Sequence, residues 1–110
     1  MHDTTAQGNE YFKCDFCRKP WAEERPMVEG HRGSLICADC LTVAYTQVFL
    51  ASAGTPRPEG AVCTLCLEPR DAMYWTSPLY EEARVCKRCI NQAAVTLERD
   101  PDHPWKRPSP

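Results

Sequence analysis

Eight cysteines, Cys14, Cys17, Cys37, Cys40, Cys63, Cys66, Cys86 and Cys89, are the residues of this chain whose type and spacing spell out chemistry. They fall in four Cys-x-x-Cys pairs. Such a turn lets two thiolates converge on one ion while backbone amides of the turn point toward sulfur, and two turns complete a tetrahedron. Nineteen residues separate the pairs in each half, a spacing that reads as a zinc site. Iron in a rubredoxin-like site is the metal alternative, because soft thiolates also accept it, but no feature of the sequence favours redox use. The expectation is two structural Zn(2+) ions per chain. Four thiolates leave no open position for water or substrate. No Ser/His/Asp pattern, paired carboxylate motif or G-x-x-x-x-G-K-[ST] loop accompanies them, so the chain reads as no enzyme.

So many cysteines could instead form a disulfide framework, but the residues from Met1 to Glu10 are polar and lack the apolar stretch of an export signal. A reducing, cytoplasmic setting is expected. The longest apolar stretch, Leu41 to Ala53, is interrupted by Thr42, Thr46, Gln47 and Ser52, so no membrane partner is expected. The three histidines, His2, His31 and His103, lie outside the cysteine pairs and read as surface residues.

The elements that must hold the thiolates come as a duplication. Adding 49 to each cysteine of the first set yields the second, without a gap, and Pro20, Ile36, Leu41, Ala44 and Val48 map to Pro69, Val85, Ile90, Ala93 and Leu97. A unit copied whole should fold whole, so each set is expected to hold its own metal rather than share one across the halves. In the first half Pro26 to Glu29 and Ser34 to Cys37 flank Gly30, His31, Arg32 and Gly33, the pattern of a short hairpin. In the second, Ala72 to Thr76 and Ala83 to Cys86 are the strands, with a longer turn around Ser77, Pro78 and Leu79. Leu41, Ala44, Tyr45 and Val48 recur at helical spacing, and Ile90, Ala93, Ala94 and Leu97 repeat them. Gly54 is placed to end the first helix and Pro101 to limit the second.

The expected fold is small, α+β and zinc-stabilised, with two tandem treble-clef-like modules of zinc knuckle, short β-hairpin and helix. Residues 1–9 read as a flexible N-terminus, 10–54 as module one, 55–60 as a Gly- and Pro-rich linker, 61–101 as module two and 102–110 as a flexible Pro-rich tail.

The first half carries C-D-F-C-R-K, then V-E-G, then L-I-C-A-D-C-L. On Cys14, Phe16, Cys17, Lys19, the Gly30 turn and the Leu35–Ile36 pair before Cys37, it resembles the C4-type zinc-binding domain at the N-terminus of the ClpX unfoldase family. The resemblance covers about Lys13 to Phe49. The second half keeps its four cysteines, Val85 and Ile90 and little else. The gap between cysteine pairs is about one residue longer than in that family, and no ATPase domain follows in the sequence. The resemblance implies a treble-clef-like module that dimerises through apolar surface and captures substrate or adaptor peptides in a Clp-type protease or unfoldase system. Two linked copies would then form an intrachain pseudo-dimer, Leu41, Tyr45, Val48 and Phe49 packing against Ile90, Ala94 and Leu97; a homodimer is the other assembly expected.

Modules this small have little interior, so Trp21, Met27, Tyr74, Trp75 and Tyr80 are candidates for a partner-binding surface, aromatic and Met side chains being common anchors of interfaces. A protein or peptide partner is therefore expected. Nucleic acid is the disfavoured alternative: Arg84, Lys87 and Arg88, with Lys106 and Arg107, could meet phosphates, but Glu81 and Glu82 lie beside them and the formal net charge is -2. A thiol/zinc redox switch is a third reading.

Overall fold

Each half runs knuckle, hairpin, helix, in a computed structural model that describes residue 2 and residues 11–110. In the first half β1 (Met27–Glu29) pairs antiparallel with β2 (Leu35–Cys37), and α1 (Ala38–Tyr45) follows directly. In the second, β3 (Thr55–Pro56), β4 (Met73–Thr76) and β5 (Arg84–Cys86) form an antiparallel sheet in the order β3-β4-β5, and α2 (Lys87–Glu98) follows. The small α+β fold with two four-cysteine sites is the one expected. The segment 1–9, expected to be flexible, lies outside the described residues except for His2.

The duplication is visible bond by bond. The amide of Arg18 donates to the Cys14 carbonyl at 2.8 Å, and that of Leu67 to the Cys63 carbonyl at 2.8 Å. Cys14 N–H donates to Lys19 O and Cys63 N–H to Glu68 O, both at 3.1 Å. The residue after each first-pair turn, Arg18 or Leu67, takes a left-handed backbone with φ of 63° or 60°, the conformation that closes the knuckle and that L-residues adopt at some cost.

Inside the hairpins the offset of 49 fails. Met27, Val28 and Glu29 stand opposite Cys37, Ile36 and Leu35, whereas Tyr74, Trp75 and Thr76 stand opposite Cys86, Val85 and Arg84. The returning strands keep the offset of 49; the outgoing ones correspond at 47. The second hairpin loop is two residues longer, and its approach from the knuckle two residues shorter, so the cysteines stay in register while the strand between them slips.

Two boundaries differ from the sequence reading. The first helix continues through a π-helical turn, Thr46–Leu50, and the left-handed residue beyond it is Ser52, φ 50°, rather than Gly54. The amides of Ala51 and Ala53 return to Thr46 O at 2.8 Å and Gln47 O at 2.7 Å, so the chain closes the helix end before Gly54 is reached. Gly54 serves packing instead: a Cβ there would lie 3.1 Å from Met73 Cβ and 3.3 Å from Val48 Cγ2. Within the segment read as a linker, Thr55 and Pro56 are strand β3.

One continuous core joins the halves. Leu41, Tyr45 and Val48 of the first helical segment and Ile90, Ala94 and Leu97 of the second belong to the same buried cluster, together with Phe16, Ile36, Tyr74 and Trp75. The Phe16 and Trp75 rings lie 5.6 Å apart across the junction. The Cα radius of gyration of 13.3 Å matches the value of about 13 Å expected for one compact domain of this length. The tail, read as flexible, bridges both helices: Trp105 Nε1 donates to Thr42 Oγ1 at 3.0 Å, and Arg107 pairs with Glu98 at 2.7 Å.

Candidate metal centres and peptide edge

Each metal site is assembled from two local structures that converge because a hairpin connects them. A knuckle supplies Cys14 and Cys17; the end of β2 and first turn of α1 supply Cys37 and Cys40. Cys37 is the N-cap of α1 and accepts the Cys40 amide at 3.5 Å, so its sulfur sits where unsatisfied helix amides favour negative charge. The register of β1 and β2 carries the amide of Cys37 to Cys14 Sγ at 3.3 Å, and Phe16 N–H reaches the same sulfur at 3.3 Å. In the second site the Cys86 N–H likewise meets Cys63 Sγ, at 3.4 Å.

The ligand sets are sequential, not interleaved. In each of the groups Cys14/Cys17/Cys37/Cys40 and Cys63/Cys66/Cys86/Cys89 the Sγ atoms all lie within 4.8 Å of one another. All eight thiols are free of disulfides. Cys17 Sγ and Cys37 Sγ are 3.8 Å apart, which is close to the edge, about 3.8 Å, of a tetrahedron with the usual Zn–S distance. The donor chemistry and the size of the cage fit one zinc ion per cluster.

Without a cation the four sulfurs cannot all ionise. Hydrogen bonds from the Cys37 and Cys40 thiols, then from the Cys37 and Phe16 amides, hold Cys14 down at about 2, against desolvation. Cys37 is pushed up to about 12, chiefly by Cys14, and Cys40 is raised for the same reason. In the second cluster Cys86 is lowered to about 3 by hydrogen bonds from Cys63 and Cys89, while Cys89 is raised. A dication removes this conflict by compensating all four thiolates, and its binding releases the remaining protons.

The partner-surface candidates scatter. Tyr74 and Trp75 are 1% and 8% exposed. They are consecutive on β4 and so face opposite sides, and both sides are covered: Trp75 meets Phe16, and Tyr74 is buried with its hydroxyl donating to Arg70 O at 2.9 Å. They present no open surface to a partner. Tyr80 is half-buried beneath Arg18, whose guanidinium lies 4.1 Å from its ring centroid and 3.1 Å from Glu82. Trp21 and Met27 do come together, lining one groove with Phe12, Glu29 and Leu35. Phe12 was not among the candidates, although an aromatic two residues before Cys14 marks its place.

Beside this groove runs an open strand edge. Gly30 N–H donates to Ser34 O and Ala38 N–H to Pro26 O, each at 2.8 Å, so the alternation of an antiparallel ladder turns the backbone groups of Val28 inward and those of Met27 and Glu29 outward. No strand among the described residues pairs with that outer edge. The corresponding edge of the second half is covered: Tyr74, the counterpart of Met27, stands opposite Thr55 of β3.

The basic cluster is partly engaged. Arg84 Nη2 donates to Glu81 O at 2.6 Å, and Lys87 Nζ lies 4.9 Å over the Phe49 ring. His103 pairs with Asp100 at 2.9 Å, and neither His103 nor His31 joins a metal group. Among the described residues no helix is long and apolar enough to cross a membrane.

Residues 12–49 match the family model of the ClpX C4-type zinc finger. The second four-cysteine group fits a second copy of that zinc-binding module. No curated protein and no solved structure matches the chain.

Proposed function

We propose that this protein is a non-catalytic interaction module in which two zinc ions, one on Cys14, Cys17, Cys37 and Cys40 and one on Cys63, Cys66, Cys86 and Cys89, hold rigid a strand edge that takes an extended peptide. The observation that carries this reading is the outer edge of β1, which no strand among the described residues pairs, beside the groove of Phe12, Trp21, Met27, Glu29 and Leu35. An edge with outward backbone groups recruits a strand through main-chain hydrogen bonds, while an adjacent pocket chooses side chains. The extended segment Thr55–Pro56, antiparallel on the counterpart edge of β4, supports the same kind of occupant on β1. The groove calls for an apolar anchor, and exposed Glu29 for a basic residue next to it.

The module would thus deliver or receive a peptide-bearing partner, in keeping with the adaptor role that the zinc-finger family implies in a Clp-type system. The test is a titration of the zinc-loaded, 15N-labelled chain with peptides that carry one large apolar residue flanked by Lys or Arg. Shifts centred on the Met27 and Glu29 amides and the Trp21 indole, weakened at least tenfold by Trp21→Ala, are expected. Binding that maps instead to Arg84, Lys87 and Arg88, or that needs nucleic acid, overturns the reading.

A further inference from the structure

The two halves differ at the feature just assigned. On β4, Ser77 N–H donates to Ala83 O at 2.9 Å, so the same alternation turns Trp75 inward and the backbone groups of Tyr74 outward. Thr55 lies directly opposite Tyr74 and Pro56 opposite Met73, antiparallel. Counting by the strand offset of 47, these are the positions of Met27 and Pro26 in the first half, where no strand among the described residues covers the outer edge.

We infer that Thr55–Pro56 is the resident occupant of the second module's peptide edge, so that the duplicated chain keeps one open edge for an outside peptide rather than two. The inference rests on the peptide-edge reading above.

The occupant is seated at both ends. It enters through Gly54, which approaches Val48, Met73 and the Tyr74 carbonyl so closely that a Cβ would lie 3.1 to 3.4 Å from all three. It leaves through Arg57, which reaches Asp71 Oδ1 at 3.4 Å and Ala61 O at 3.3 Å. Between these anchors Thr55 and Pro56 are exposed, so the strand is held by its backbone pairing and tether, not by burial. A tether this short gives an effective concentration in the millimolar range, enough to exclude a weak outside peptide. The seat is therefore closed in the intact chain and opens when the pairing is weakened.

Hydrogen exchange and 15N NMR on the full zinc-loaded chain test this. Thr55→Pro removes the amide that faces Tyr74, and Gly54→Val wedges the segment away by an independent route. In either variant the protection factor of the Tyr74 amide is expected to fall at least tenfold, while two zinc ions and the protection of inward-facing Val85 are retained. A synthetic peptide of residues 51–59, at millimolar concentration, should restore Tyr74 protection in the variants and leave Tyr74 unchanged in the parent. Unchanged Tyr74 protection in both folded variants, or uptake of the peptide at Tyr74 by the parent, would overturn the inference. The peptide-edge reading fails separately, by silence of Met27 and Glu29 toward every peptide of the series while the Tyr74 results hold.

Discussion

Gly30 and Ser77 occupy the same place in the two halves, and each serves the middle carbonyl of the other half's zinc knuckle by different means. Ser77, 3% exposed, donates its hydroxyl to Phe16 O at 2.6 Å. Gly30 has no side chain to donate; a Cβ there would lie 2.6 Å from Leu65 O, and the bare backbone lets the next amide, of His31, reach that oxygen at 2.7 Å. Phe16 and Leu65 are themselves counterparts at an offset of 49. The junction is therefore isologous in the manner of a two-fold dimer, with the symmetry broken at the atoms that make the bond.

Ser77→Ala should cost about 1–3 kcal/mol, the usual penalty for leaving a buried carbonyl unpaired, and more than a surface serine would, because the hydroxyl also accepts the Leu79 and Tyr80 amides at 3.1 and 3.3 Å. Gly30→Ala should cost a similar amount, about 1–3 kcal/mol, through overpacking against Leu65. The φ of Gly30, -105°, suits any residue, so that loss would be steric and not conformational. Chemical denaturation of both variants at full zinc loading measures it.

Leu67→Gly should stabilise the chain, by up to about 1 kcal/mol, because the left-handed backbone strains an L-residue and the side chain is 40% exposed. Arg18→Gly removes the same strain but also the Glu82 and Tyr80 contacts, so its gain should be smaller. Thermal unfolding of the two variants side by side decides; equal gains would mean that the Arg18 contacts contribute nothing.

Loss of one metal should be felt in both halves. Cys63→Ser is expected to lower zinc content from two to one and to reduce hydrogen-exchange protection around Phe16 and Ile36 as well, because these residues share a core with Trp75 and Val85. Separate unfolding transitions for the halves, with the first unaffected, would contradict a common core.

The tail strap should release in acid. Hydrogen bonds from Arg107, side chain first and then backbone, hold the Glu98 carboxyl below its ordinary value of 4.5. A folded-state pKa below the unfolded one contributes stability above about pH 4.5, which is lost as pH falls through the depressed value. The Trp105 indole N–H, bonded to Thr42 Oγ1, should shift toward its free position over that range, and Arg107→Ala should produce the shift at neutral pH.

In the sequence, the cysteine spacing determined the metal chemistry, the ungapped duplication the sequential pairing, and the turn residues and apolar stripes the order knuckle, hairpin, helix, because each of these signals acts through neighbours in the chain. That the apolar stripes of the two helices share one core was implied by the family resemblance, which brings dimerisation through apolar surface, and not by their spacing. Only the tertiary structure decided what depends on contacts between distant segments. Tyr74 and Trp75 look like surface aromatics until β4 is covered on both faces, and Thr55–Pro56 looks like a linker until it lies on Tyr74. The slip from 49 to 47 is invisible between evenly spaced cysteines, because a strand's register is set by its partner across the sheet and not by the count of residues that leads to it.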